Sequence, residues 1–154
     1  MTALKRVLLV EDSPRDAELI LDALGANQLA NEVVHVRDGA EALDYLYRRG
    51  EFAGRSEGQP ALMLLDLKLP KVDGLEVLRQ IKGDAALKLI PVVMMTSSRE
   101  EQDLVRSYEL GVNAYVVKPM KFQDFVEAVK QVSGFWAVIN EVPENLRRGE
   151  ILGA

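Results

Sequence analysis

The apolar positions of this chain fall into two kinds of block that alternate along its length. Leu4–Val10, Glu32–Val36, Ala61–Leu65, Pro91–Met95 and Ala114–Val117 are short runs rich in valine, leucine and methionine. Such runs read as buried β-strands. Between them the apolar residues recur at helical spacing. Ser13 is placed to cap a helix, with Pro14 at its first position and Asp16 in its first turn. Ala17, Leu19, Ile20, Leu21, Ala23 and Leu24 give that helix a wide apolar side, and Gly25 ends it. Asp38-Gly39 opens a second helix carrying Ala42, Leu43, Leu46 and Tyr47, and Asp73-Gly74 opens a third carrying Leu75, Val77, Leu78 and Ile81. Arg99–Leu110 is a more polar helix closed by Gly111. Phe122, Phe125, Val126, Val129 and Val132 stripe a fifth. Gly50–Pro60, between the second helix and third strand, is glycine-rich, polar and long for a connection, where about 4–6 residues is usual.

The order is strand then helix, five times over. Continuous apolar strands with intervening helices imply an α/β fold, with a five-stranded parallel sheet covered by helices on both faces. The alternation stops near Ser133. This divides the chain into a domain over 1–132 and a C-terminal extension over 133–154. Nearly half of the 154 residues are apolar, enough to build a core without cross-links. The absence of cysteine excludes disulfides, thiol catalysis and thiolate metal sites, and fits a cytoplasmic location. No apolar run is long enough for a membrane span, and the start does not resemble a signal peptide. A net charge of −5 argues against general nucleic-acid binding.

Candidate chemistry gathers where the strands end. Ligands of an open parallel sheet bind at the carboxyl ends of its strands. The first strand ends in Glu11-Asp12, the third in Asp66, the fourth in Thr96-Ser97-Ser98 and the fifth in Lys118-Pro119. Three acids on one rim repel one another, and a hard cation such as Mg²⁺, which takes oxygen ligands, relieves that. The lysine and the hydroxyl supply charge compensation and a donor for a phosphoryl group. An aspartate can attack phosphorus to form an acyl phosphate. The set points to metal-assisted phosphoryl chemistry on a carboxylate.

Val7–Asp12, Leu64-Leu65-Asp66-Leu67-Lys68-Leu69-Pro70-Lys71-Val72-Asp73-Gly74, Thr96-Ser97 and Lys118-Pro119 together resemble the signature of response-regulator receiver domains of two-component systems. The likeness spans about residues 4 to 132. It implies the doubly wound, flavodoxin-like receiver fold and a phosphorelay role. It makes Asp66 the phosphoacceptor for a sensor histidine kinase. It makes Asp12 a direct Mg²⁺ ligand with Glu11 beside it, and adds the backbone carbonyl of Lys68. Lys118 would contact the phosphoryl oxygens, across a Lys118–Pro119 bond expected to be cis. Thr96 would move its hydroxyl onto the phosphoryl group. Tyr115 would then turn inward and alter the face of the fourth helix, fifth strand and fifth helix. Lys68 and Ser98 sit where the family tunes loss of the phosphoryl group to water.

Other readings fit less well. A phosphatase with an aspartyl-phosphate intermediate needs a general acid two residues after the nucleophile, where Lys68 stands. A flavin protein of this topology needs a hydroxyl-rich phosphate loop where Glu11-Asp12 would repel phosphate. A receiver serving only as a scaffold usually lacks an acid or the lysine, and all are present here. His35, the only histidine, reads as structural.

The extension is too short for a DNA-binding module with its own core, so output is expected through protein contact. Its segment Ser133–Pro143 is apolar and contains Phe135 and Trp136. It resembles the tails of single-domain regulators that pair with phytochrome-type kinases, as do the Asp38–Leu46 helix and the loop after it. That resemblance implies a homodimer in which each tail packs on the other subunit, against the alternative of packing on its own domain. Residues from Glu144 onward are expected to fray.

Overall fold

Five parallel strands run in the order β2-β1-β3-β4-β5 in the computed structural model, which describes residues 6–26 and 32–144. The strands are β1 (Arg6–Val10), β2 (Glu32–Val36), β3 (Leu62–Leu65), β4 (Val92–Thr96) and β5 (Ala114–Val117). The helices are α1 (Pro14–Ala26), α2 (Gly39–Tyr47), α3 (Gly74–Lys82), α4 (Glu101–Glu109) and α5 (Phe122–Ser133). From β1 the chain first moves to one side of the sheet and then returns to the other, so the strand order reverses between β1 and β3. This reversal opens the crevice in which an open α/β sheet binds ligands.

Alternate residues of each strand enter two separate cores. Val7 and Leu9 of β1, Leu62 and Leu64 of β3, and Val93 and Met95 of β4 pack with Ile20 and Leu24 of α1 and Phe125 and Val129 of α5. Leu8, Val10, Met63, Leu65, Val92 and Met94 face the opposite way, toward α2 and α3. Both faces of the central strands are therefore buried, as their unbroken apolar runs require. Each leucine taken fully out of water contributes about 1.5–3 kcal/mol. The core therefore holds the carboxyl ends of β1 and β3 firmly side by side.

Local chemistry sets several boundaries. The Ser13 hydroxyl accepts from the Asp16 backbone N–H at 3.3 Å, and the Asp38 carboxylate accepts from the Glu41 N–H at 2.8 Å. Both are helix caps. Helix α4 starts later than expected, at Glu101 rather than Arg99. Side-chain hydroxyls hold the preceding residues in a loop: Ser98 N–H donates to Thr96 Oγ1, and Glu100 N–H to Ser98 Oγ. The long loop after α2 is ordered around Arg55, a residue the hydrophobic pattern does not single out. Its guanidinium lies 3.9 Å from the Tyr45 ring centroid and donates to the carbonyls of Tyr45 and Gly58 and to the Gln59 side chain. The Lys118–Pro119 bond, expected cis, is trans, because no cis peptide occurs among the described residues. Proline brings the two isomers close in energy, so the dipeptide alone does not select one.

Helix α5 does not stop at Ser133. It runs on into a wider, π-helical turn, Gly134–Ile139, in which Ala137 is buried against the α1–α5 core. Val142, farther along, is buried against the other core. The extension up to Glu144 thus packs on its own domain here. Of the end expected to fray from Glu144 onward, all but Glu144 lies outside the described residues, as do the first residues of the expected opening strand.

Gly74 ties the fold to the rim. Its N–H donates to the Leu67 carbonyl at 2.9 Å. A Cβ there would lie 2.3 Å from the Asp66 carbonyl oxygen and 2.7 Å from that of Leu67. Only glycine lets α3 start this close to the Asp66 segment. Gly74→Ala is expected to cost about 1–3 kcal/mol in urea denaturation, as overpacking against backbone does. A variant as stable as the parent would show that the loop gives way freely.

Candidate functional site

The site is assembled by strand termini. Hydrogen bonds continue the sheet past the ends of β1 and β3: Glu11 N–H donates to Val36 O and Asp66 N–H to Val10 O, both at 3.1 Å. Lys118 N–H donates to Thr96 O at 2.7 Å at the β4–β5 end. Glu11, Asp66, Thr96 and Lys118 are therefore fixed at the rim by backbone bonds that extend the sheet, and Asp12 follows Glu11 beyond the end of β1. His35, on β2, also helps: its Nε2 lies 2.9 Å from the Glu11 carbonyl oxygen, bracing the turn that carries Glu11 and Asp12.

The Lys118 ammonium sits at the centre. It donates to Glu11 Oε1 at 2.6 Å, to Asp16 Oδ2 at 3.0 Å and to Asp66 Oδ2 at 3.4 Å. The other Asp66 oxygen accepts from the Leu67 N–H at 2.8 Å, and the second Glu11 oxygen from the Ser13 N–H at 3.2 Å. Glu11 and Asp66 are buried, whereas Asp12 is exposed. Burial pushes the Glu11 carboxyl up to about 7; its hydrogen bond to Lys118 opposes the rise and the Asp66 charge adds to it. Burial alone would lower the Lys118 ammonium, but its bond to Glu11 and the Asp66 charge outweigh that and raise it above its ordinary value. The lysine therefore stays charged at any physiological pH.

One oxygen from each of Glu11, Asp12 and Asp66 lies within 4.8 Å of the others. All three are hard oxygen donors, and the exposed Asp12 leaves a side open to water. This donor set fits a divalent cation of the Mg²⁺ type, which keeps some of its waters. Lys68 stands two residues beyond Asp66 in the following loop. Its side chain is largely exposed and approaches Asp103 at 4.0 Å, a contact of little energetic weight.

Thr96 is fully buried, and its hydroxyl accepts from the Ser98 N–H at 3.2 Å. Ser98 is a junction. Its Oγ donates to the buried Asp103 carboxylate of α4 at 2.6 Å, and its carbonyl accepts from the Tyr115 hydroxyl at 3.1 Å. Thr96, Tyr115 and α4 are thus joined through one residue. Sequence reasoning missed Asp16 and Asp103 as members of this environment. Asp16 carried only the signal of an acid near a helix start, and Asp103 that of a polar helix position.

The arrangement combines a cation-binding acid cluster, a buried carboxylate facing a permanent ammonium, and a hydroxyl on an adjacent strand end. It can bind a metal and place a positive charge against a group transferred to Asp66. Response regulator Rcp1 of Synechocystis sp. is 42% identical over 132 residues, which cover 86% of this chain and 88% of that protein. Its Mn(2+)-bound crystal structure superposes with a TM-score of 0.85, covering 90% of this chain and 99% of that one. The phosphorylated cyanobacterial phytochrome response regulator RcpA is 45% identical with a TM-score of 0.86, covering 92% and 99% of the two chains. The bacteriophytochrome response regulator AtBRR is 64% identical with a TM-score of 0.72, covering 91% and 100%. The response regulator receiver domain matches residues 7–130, which include all the side chains of this site, and the chain belongs to that family.

Proposed function

We propose that this receiver takes a phosphoryl group onto Asp66 from the phosphohistidine of a sensor kinase of the bacteriophytochrome type. The observation that carries the reading is the Lys118 ammonium facing Asp66 Oδ2 at 3.4 Å beside the acid cluster. The Asp66 carboxylate attacks phosphorus in line, a P–O bond forms as the P–N bond breaks, and the imidazole leaves with the electron pair. Glu11, Asp12, Asp66 and the Lys68 carbonyl would hold Mg²⁺, which supplies charge neutralisation on the phosphoryl oxygens. Lys118 donates to those oxygens. The Thr96 hydroxyl turns from Ser98 toward the new group. That frees the Ser98 junction, and Tyr115 with it, and shifts the α4–β5–α5 face between two populations. Water attack on the same site returns it slowly to the resting state. The protein is a phosphoacceptor that promotes its own loading and clearing, not an enzyme turning over a separate substrate.

Output on this reading is protein contact in the cytoplasm, without nucleic-acid or membrane binding. Among the described residues no helix is long and apolar enough to cross a membrane. A homodimer is part of the reading. Phe135 and Ile139 of the extension are exposed next to the half-buried Trp136, and Val105 and Tyr108 expose apolar surface on α4. Sedimentation with and without beryllofluoride is expected to show a dimer in at least one state. A monomer in both would remove the dimer from the reading.

Acetyl phosphate with Mg²⁺ is expected to label the protein, and Asp66→Asn to abolish labelling. Equal labelling of the two would sink the assignment.

The raised Glu11 value fixes a pH dependence. Between 4.5 and about 7 the folded chain keeps a proton that the unfolded chain has lost. Stability without divalent cation therefore falls as pH rises through that window. Because that proton competes with a cation, Mg²⁺ affinity is expected to rise about tenfold from pH 6 to pH 8. Calorimetric titration at the two pH values checks this, and Glu11→Gln should flatten the dependence.

A further inference from the structure

Lys118 has three N–H donors, and three carboxylates occupy their directions: Glu11, Asp16 and Asp66. A phosphoryl group on Asp66 takes over the 3.4 Å contact of that carboxylate, and a second phosphoryl oxygen reaches the ammonium only if Glu11 or Asp16 yields. Glu11 is almost wholly enclosed, with 2% of its side chain exposed, and it belongs to the acid cluster that would hold the metal. Asp16 stands apart from that cluster. It lies in the first turn of α1, its side chain 24% exposed, at the edge of a groove of about 270 Å³ lined also by Ser97, Met120 and Phe122. Its carboxylate can turn to water at the least cost while still pulling on the lysine.

Resting on the reading of Asp66 as phosphoacceptor, we propose that Asp16 is a positioning residue that competes with the phosphoryl group for Lys118. It holds the ammonium toward α1 in the resting state. It also adds a negative charge beside the place where the phosphoryl dianion arrives. Both effects weaken the hold of the site on small anionic phosphoryl species. Loading from a docked kinase is less affected, because the protein contact supplies binding energy that a free anion lacks.

Asp16→Asn keeps an oxygen that accepts from the ammonium and removes the charge. Asp16→Ser removes the charge with a smaller side chain, and Asp16→Glu restores it. Beryllofluoride affinity is measured by ¹⁹F NMR at saturating Mg²⁺, with thermal melts to show that each variant is folded. Asp16→Asn and Asp16→Ser are expected to bind about 3–30-fold more tightly than the parent, as removal of one nearby charge would produce. The gain should shrink as ionic strength rises, and Asp16→Glu should bind like the parent. With acetyl phosphate, the concentration giving half-maximal loading rate should fall while the maximal rate changes little. Affinities of Asp16→Asn and Asp16→Ser within twofold of the parent, or weaker, would overturn the proposal, as would failure of Asp16→Glu to restore parental affinity. Should the parent itself bind no beryllofluoride, behaving like Asp66→Asn, the phosphoacceptor reading falls and takes this proposal with it.

Discussion

Four acids, Glu11, Asp12, Asp16 and Asp66, gather near one rim, and a single ammonium ties three of them together. Lys118 bridges three of them at 2.6, 3.0 and 3.4 Å from a position whose side chain is 9% exposed. Without that charge the buried Glu11 and Asp66 would repel each other in a poorly solvated crevice. With it, Glu11 is still pushed up to about 7, because burial opposes its charged form more than the lysine supports it. The site is thus under-neutralised at rest. That residual demand for positive charge is what a divalent cation answers.

The sheet makes this possible by holding groups distant in sequence at fixed spacing. Lys118 and Glu11 are 107 residues apart in the chain, and Lys118 and Asp66 are 52 apart. Their backbones are locked by bonds that extend the strand ladders, so the three charged groups do not need to find one another by loop motion. The close approach of Gly74 to the Asp66 segment has the same effect from the other side. The strand ends hold the acids and the lysine, and the loop after β4 holds Ser98. Ser98 joins Thr96, Tyr115 and Asp103 there, which ties the end of β4 to α4 and β5.

How much was legible in the sequence follows from the range of the interactions concerned. Strands β2 and β5 agree with their apolar runs residue for residue. Glu11, Asp12, Asp66, Thr96 and Lys118 stand out because an apolar run that stops on a polar residue marks a strand end, and that is a local signal. The caps at Ser13 and Asp38 are local too. Helix α4 starts two residues later than its pattern suggests because Ser98 and Thr96 bond to nearby N–H groups and compete with the helix for them.

The parts that escaped are those set by contacts across the fold. Arg55 looks like a solvated loop residue until Tyr45 and Gln59 close around it. Asp16 looks like a helix-start acid until β5 brings Lys118 to it from 102 residues away. The isomer of the Lys118–Pro119 bond and the packing of the extension through Ala137 and Val142 depend on surroundings that no short segment specifies. By itself the sequence determined the alternation of strands and helices and which chemical groups stand at the strand ends, because periodicity and chain reversal act over a few residues. Only the tertiary structure decided which of those groups share one lysine, because a hydrogen bond depends on distance in space and not on separation along the chain.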